Sequence, residues 1–180
     1  MRCFIAVELA PELKNKVAGI QQRLGDLGKI KFIEPENLHF TLKFLGEIDD
    51  EQAATVVNKL SNIAANNDAF SIDICGIGAF PSFNYIRVLW LGIGQGAEKM
   101  ANLQKQINQI KIGKRSDIPH LTIGRVKFVK DKQALLSRLE ELKNAEIGKM
   151  SVHIIKLKKS TLTPHGPIYE DIKEFRLQTL

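Results

Sequence analysis

The stretch N-L-H-F-T-L-K-F-L-G, residues 37–46, decides how the chain is read. Leu38, Phe40, Leu42 and Phe44 occupy its even positions, while Asn37, His39, Thr41 and Lys43 occupy odd ones. That alternation is a β-strand with one buried face and one face left for chemistry. Same-face residues two apart lie roughly 6.5–7 Å from each other, so an imidazole and a hydroxyl can converge on one small group. The pattern returns as I-P-H-L-T-I-G-R at 118–125, its histidine 81 residues after the first.

Outward from these two stretches, the chain repeats itself. An apolar strand at 2–8 leads to a helix opened by Pro11, with Leu13, Val17, Ile20, Leu24 and Leu27 as its stripe and Gly28 as its end. After the His39 strand, Asp49 or Asp50 caps a helix striped by Ala53, Val56, Leu60 and Ile63, and residues 70–79 alternate as a strand. A turn at 81–84 follows, and the order begins again. Residues 85–93 form a strand; Met100, Leu103, Ile107 and Ile110 stripe a helix; His120 and Thr122 lie on the next strand. Asp131 then caps a helix carrying Leu135, Leu139 and Leu142, and 149–158 is a strand. Residues 163–167 turn the chain into a closing strand at 169–177.

The expectation is an α+β protein, a two-lobed α/β arrangement, with two antiparallel-rich sheets around a central cleft and the helices outside. Its lobes correspond to pseudo-repeats at about 1–80 and 85–158, with 160–180 closing a single domain.

Bulk properties narrow the function classes. The 180 residues carry 44% hydrophobic side chains, ordinary for a globular chain, and no apolar run nears the ~18–20 residues of a membrane span. Cys3 and Cys75 lack CxxC spacing and read as buried free thiols in a reducing cytoplasm. A net charge of +6 and a pI near 9.3 lean mildly toward a polyanionic partner, although the cations are dispersed.

Four histidines and six threonines in 180 residues would give about 0.1 H-x-T matches by chance; two occur, at equivalent places in a repeat. Histidine, with an ordinary pKa near 6.5, can give or take a proton at neutral pH. Two facing histidines can do both in one phosphoryl displacement, while a threonine on each strand donates to phosphate oxygens. No HExxH, Cys–His cluster or compact acidic group offers a metal site, so neither metal nor cofactor is expected.

These residues carry a resemblance. H-F-T-L at 39–42 and H-L-T-I at 120–123 resemble the paired motifs of the 2H phosphoesterase superfamily. More closely, the chain is similar to the RNA 2′,3′-cyclic phosphodiesterases also called 2′-5′ RNA ligases. R-C-F-I-A-V-E-L, P-E-N-L-H-F-T-L-K-F-L-G, G-A-F-P, R-V-L-W-L-G, P-H-L-T-I-G-R-V and S-T-L-T-P-H-G-P-I-Y-E extend the likeness almost end to end. The resemblance implies hydrolysis of a 2′,3′-cyclic phosphate at an RNA 3′ end to a 2′-phosphate, with reversible 2′-5′ joining as a secondary activity. His39 would protonate the departing 3′ oxygen, His120 would activate water, and Thr41, Thr122 and Arg125 would hold the phosphate. A monomer acting on RNA in the cytoplasm is expected. Two rival readings use the same scaffold: a non-catalytic RNA- or nucleotide-binding module, and a phosphodiesterase for another cyclic or 2′-5′ phosphodiester.

On a regular strand Arg125 has the wrong parity to join His120 and Thr122. An extra residue near Gly124, a β-bulge, would bring Arg125 to the histidine face and return Val126 and Phe128 to the core. The first strand reads as regular throughout, which gives Lys43 the parity of His39 and makes it a possible RNA contact. Trp90, Phe83 and Tyr169 read as packing residues, and His153 and His165 as ordinary strand and turn histidines.

Overall fold

The computed structural model describes residues 1–179. In chain order its elements are β1 (Arg2–Glu8), α1 (Lys14–Leu24), β2 (Gly28–Phe32), β3 (His39–Glu47), α2 (Asp50–Ala65), β4 (Phe70–Pro81) and β5 (Ile86–Ile93). They continue with α3 (Ala97–Ile107), β6 (Leu121–Val129), α4 (Lys132–Leu142), β7 (Glu146–Val152), β8 (Ile154–Thr163) and β9 (Gly166–Arg176). The strands join in the order β7-β4-β5-β6-β3-β1-β8-β9, with β2 also paired to β6, and every pairing is antiparallel.

The α+β class is as expected, but the two sheets are continuous. They meet at one pair, Phe40 opposite Leu121. The central order β4-β5-β6-β3-β1-β8 maps onto itself when the chain's halves are exchanged, so a pseudo-twofold axis passes through that pair. The lobes expected from residues 1–80 and 85–158 are therefore not separate in space. β4 leaves the first half to pair with β5, and β8 leaves the second half to pair with β1. The strand expected at 149–158 is two strands, broken at His153, where the chain crosses from β4's side of the sheet to β1's. The first helix stops at Leu24, and Gly28 opens β2, whose Lys-Ile-Lys-Phe alternation places Lys29 and Lys31 outward.

All four helices cover one face. Val17 and Leu24, Val56 and Leu60, Met100 and Leu103, and Leu135 and Leu139 enter the same core as Ile5, Phe40, Leu42, Leu89, Leu91, Leu121 and Ile123. Each fully buried Leu or Ile contributes about 1.5–3 kcal/mol relative to an exposed one. A reciprocal Asp49–Gln52 capping box starts α2, and the Asp131 carboxylate accepts the Ala134 N–H (3.0 Å) to start α4. Phe4 and Ala6 are buried yet stand outside this core, on the opposite face of the sheet. That other face carries the histidines.

Candidate active site

Phe40 and Leu121 point into the core, so the residues flanking each of them point the other way. Antiparallel order about the pair sets His39 across from Thr122 and Thr41 across from His120. For a diagonal cross-strand pair such as His39 and His120 the β-carbons lie on the order of 7–8 Å apart, which leaves room for a phosphate between the rings.

The two rings are anchored alike. His39 Nδ1–H donates to the Asn37 carbonyl (2.6 Å) and His120 Nδ1–H to the Ile118 carbonyl (2.7 Å), in each case two residues upstream. Both rings thus carry the basic lone pair on Nε2. His39 Nε2 accepts the Thr41 hydroxyl proton (3.0 Å), whereas His120 Nε2 makes no hydrogen bond among the described residues.

Burial drives both rings toward the neutral form. It lowers His39 to about 4, opposed by the Asn37 hydrogen bond and by Glu8, and assisted by Lys158 and Arg125. His120 is lowered by burial and by Arg125, against the Ile118 hydrogen bond. Among the described residues only His39 has a carboxylate in reach: Glu8 stands opposite it in the β1–β3 ladder.

Bulges deliver the remaining groups. Leu89 pairs with Gly124 and Trp90 with Thr122, so Ile123–Gly124 holds one residue more than β5 does. Arg125 pairs with Val88, and Val88 shares a face with Trp90; Arg125 therefore joins Thr122 and His120. Val126 returns to the core, but a second irregularity at Lys127 leaves Phe128 64% exposed, contrary to expectation. Gly124 suits this crowded strand, since a β-carbon there would sit 2.9 Å from Ile30 Cγ2.

The first strand is not regular either. Ala6 pairs with Thr41 but Ile5 with Lys43, which inserts a residue at Leu42–Lys43. Lys43 accordingly turns to the core side, 3% exposed, where burial and then Arg115 depress its pKa. Lys43 is not brought to the cleft. Phe44 takes the cleft side instead, paired with Phe4 and half exposed. The two bulges are equivalent. Each leaves a main-chain carbonyl that a buried glutamine caps: Gln21 of α1 donates to Ile123 (3.0 Å) and Gln104 of α3 to Leu42 (3.2 Å).

Aromatic walls complete the site. The Phe4 and Tyr169 rings lie 5.0 and 5.4 Å from His39, and those of Phe80 and Trp90 lie 4.9 and 6.0 Å from His120. The Trp90 indole lies over Gly78, where any side chain would collide with it. Behind His39, Lys158 pairs with Glu8 and with Asp171 (2.5 Å), and Lys156 with Glu8 (2.9 Å), Asp171 (2.6 Å) and Glu174 (3.1 Å). Sequence reasoning took Tyr169 and Trp90 for packing and overlooked Phe4 and Glu8. The alternation of Phe4, Ala6 and Glu8 along β1 could have revealed that face. His153 and His165 lie apart, in the β7–β8 break and the β8–β9 turn. No cluster of three or more metal-ligating side chains occurs among the described residues, and no helix is long and apolar enough to cross a membrane.

Comparison with known proteins follows the same repeat. The family description "LigT like Phosphoesterase" matches residues 7–90 and again 91–169. A Methanothermobacter thermautotrophicus protein called RNA 2′,3′-cyclic phosphodiesterase is 41% identical, over 98% of this chain and 99% of its own. A Methanocaldococcus jannaschii protein of the same name is 40% identical over 97% and 100%. Among solved structures, TT0787 of Thermus thermophilus superposes with a TM-score of 0.83 at 25% identity, covering 98% of each chain. Escherichia coli LigT, crystallised with ATP, shares the fold, with a TM-score of 0.74 at 22% identity over 98% of this chain and 96% of its own.

Proposed function

Since the chain belongs to the LigT-like phosphoesterase family, we propose that it hydrolyses the 2′,3′-cyclic phosphate at an RNA 3′ end, leaving a 2′-phosphate, by acid–base catalysis between His39 and His120. One observation carries this reading: two imidazoles are anchored through Nδ1 to equivalent carbonyls, on either side of a single strand pair and on one face of the sheet. The names of the relatives supply the substrate.

His120 Nε2, free of partners, takes a proton from water as its oxygen attacks phosphorus. The P–O3′ bond breaks on the far side, and His39, neutral in the empty site and protonated at Nε2 once the anionic phosphate is bound, gives that proton to O3′. Glu8 favours the protonated form of His39, and the anionic phosphate favours it further; no carboxylate among the described residues does so for His120. Thr41 and Thr122 donate hydroxyl hydrogens to the non-bridging oxygens, and Arg125 neutralises the charge that gathers there. Acid, base and anion donors are all protein side chains, so the step needs no metal. With a 5′-hydroxyl in place of water as the nucleophile, the same displacement joins RNA through a 2′-5′ linkage as a secondary activity. The free thiols Cys3 and Cys75 fit a reducing, cytoplasmic setting.

The test is turnover of a cyclic-phosphate-ended RNA with and without EDTA. Hydrolysis unaffected by the chelator is expected; hydrolysis abolished by it and restored by added metal would overturn the two-histidine step.

A further inference from the structure

β6 does not end its cleft-side face at Arg125. In the β2–β6 ladder Lys31 pairs with Arg125 and Lys29 with Phe128. Directly paired residues of an antiparallel ladder share a face, and Lys29 and Lys31 are two apart on a regularly alternating strand. Arg125, Lys31, Lys29 and Phe128 therefore form one row, continuous with Thr122, that runs away from the histidines. Arg125 and Phe128 are three residues apart, about 10 Å along a strand.

The row has a distinct chemistry. Its three cations are exposed, and none belongs to an ion pair among the described residues. On the β8 side of the cleft, by contrast, Lys156 and Lys158 are occupied by Glu8 and Asp171. A lone exposed phenylalanine is ordinary, but Phe128, 64% exposed, sits at the end of a row of unpaired cations that begins in the site. A hollow of about 380 Å³ adjoins it, lined by Phe128, Tyr85, Arg87, Lys127 and Lys132 among others, and no carboxylate among the described residues lines it.

Direction follows from the register. His39 lies across from Thr122, so of the two histidines it stands nearer the Arg125 end of β6. If His39 serves the departing 3′ oxygen, as proposed above, the terminal ribose and the chain 5′ of it lie toward that end.

We propose that this row is a track for the single-stranded RNA 5′ of the reacting phosphate, with Lys31 and Lys29 following the backbone and Phe128 stacking a base. Base–aromatic stacking and a positively charged path are the two elements of sequence-tolerant single-strand binding. The inference rests on the cyclic phosphodiesterase reading of the site.

The experiment compares wild type, Phe128→Ala and Lys29→Ala on two substrates: a mononucleoside 2′,3′-cyclic phosphate and a short oligoribonucleotide with the same end. Phe128→Ala should raise KM for the oligonucleotide about fivefold or more and leave the mononucleotide constants unchanged. Lys29→Ala should reduce the slope of log affinity against log salt by about 0.7 for the oligonucleotide. Fluorescence anisotropy with the same oligonucleotide ending in a 3′-hydroxyl separates the track from the chemistry. Should wild type hydrolyse neither substrate yet bind this RNA more tightly than Phe128→Ala does, the reading of the site fails and the track stands. Should wild type hydrolyse both while the variants change neither oligonucleotide KM nor binding, the track is overturned. Displacement of the RNA by polyglutamate, with Phe128→Ala binding as wild type does, would also overturn it and mark the face as an unselective anion surface.

Discussion

Replacing His39 with asparagine should make the protein less sensitive to acid, although it removes a catalytic group. The asparagine amide can still donate to the Asn37 carbonyl, the bond that fixes the imidazole. Burial holds the folded-state pKa of His39 at about 4 against an ordinary 6.5. Because the folded value is the lower one, the unfolded chain binds the proton first as pH falls. The stability contributed by the neutral buried ring is complete above about pH 6.5 and is lost progressively between 6.5 and 4. Near pH 5 the unfolded ring is almost wholly protonated and the folded one almost wholly neutral; linkage then gives a loss of about 2 kcal/mol relative to pH 7.5. With a urea m-value of about 2 kcal/mol/M, that is a midpoint shift of about 1 M. Urea unfolding followed by the fluorescence of Trp90, the only tryptophan, at the two pH values measures it in both proteins. Carboxylate titrations, those of Glu8 and Asp171 included, are common to both and cancel in the difference. Wild type should lose about 2 kcal/mol more than His39→Asn; equal losses would refute a buried, neutral His39.

Two further substitutions test how the strands deliver their side chains. Lys43→Met removes a cation whose burial depresses its pKa, so stability at neutral pH should hold or rise, by about 1 kcal/mol at most, with KM for RNA unchanged. A raised KM would return Lys43 to the RNA surface. Gly124→Val forces a side chain against Ile30 and Phe32; thermal unfolding should show a loss of about 1–3 kcal/mol. Steady-state kinetics should show a raised KM as Arg125 shifts, and wild-type stability with wild-type KM would contradict the role given to the bulge.

The parts of the site legible in the sequence were those with local patterns. His39, Thr41, His120 and Thr122 stand out because alternation fixes which side chains share a face. The bulge at Gly124 was readable because Leu121 and Ile123 are apolar at odd positions and Val126 at an even one. The bulge at Leu42–Lys43 escaped because Phe44 continues the even apolar series, although it occupies the cleft side as an exposed aromatic. Leu45, buried at an odd position, carried the change of parity. The exchange of β4 and β8 between halves was hidden for another reason. Nothing local in either strand states which distant edge it will join. The Tyr169 and Phe80 walls depend on that exchange, which brings Tyr169 of β9 to His39 and Phe80 of β4 to His120.

The central claim is that two histidines, one on each side of the Phe40–Leu121 pair, divide one displacement at a cyclic phosphate. The most direct measurement is hydrolysis of a short RNA ending in a 2′,3′-cyclic phosphate, with the product's phosphate position mapped, for wild type, His39→Ala and His120→Ala. The account predicts a 2′-phosphate from the wild type and losses of about 10²–10⁴-fold in turnover for each variant. A 3′-phosphate product, or turnover retained in both variants, would contradict it.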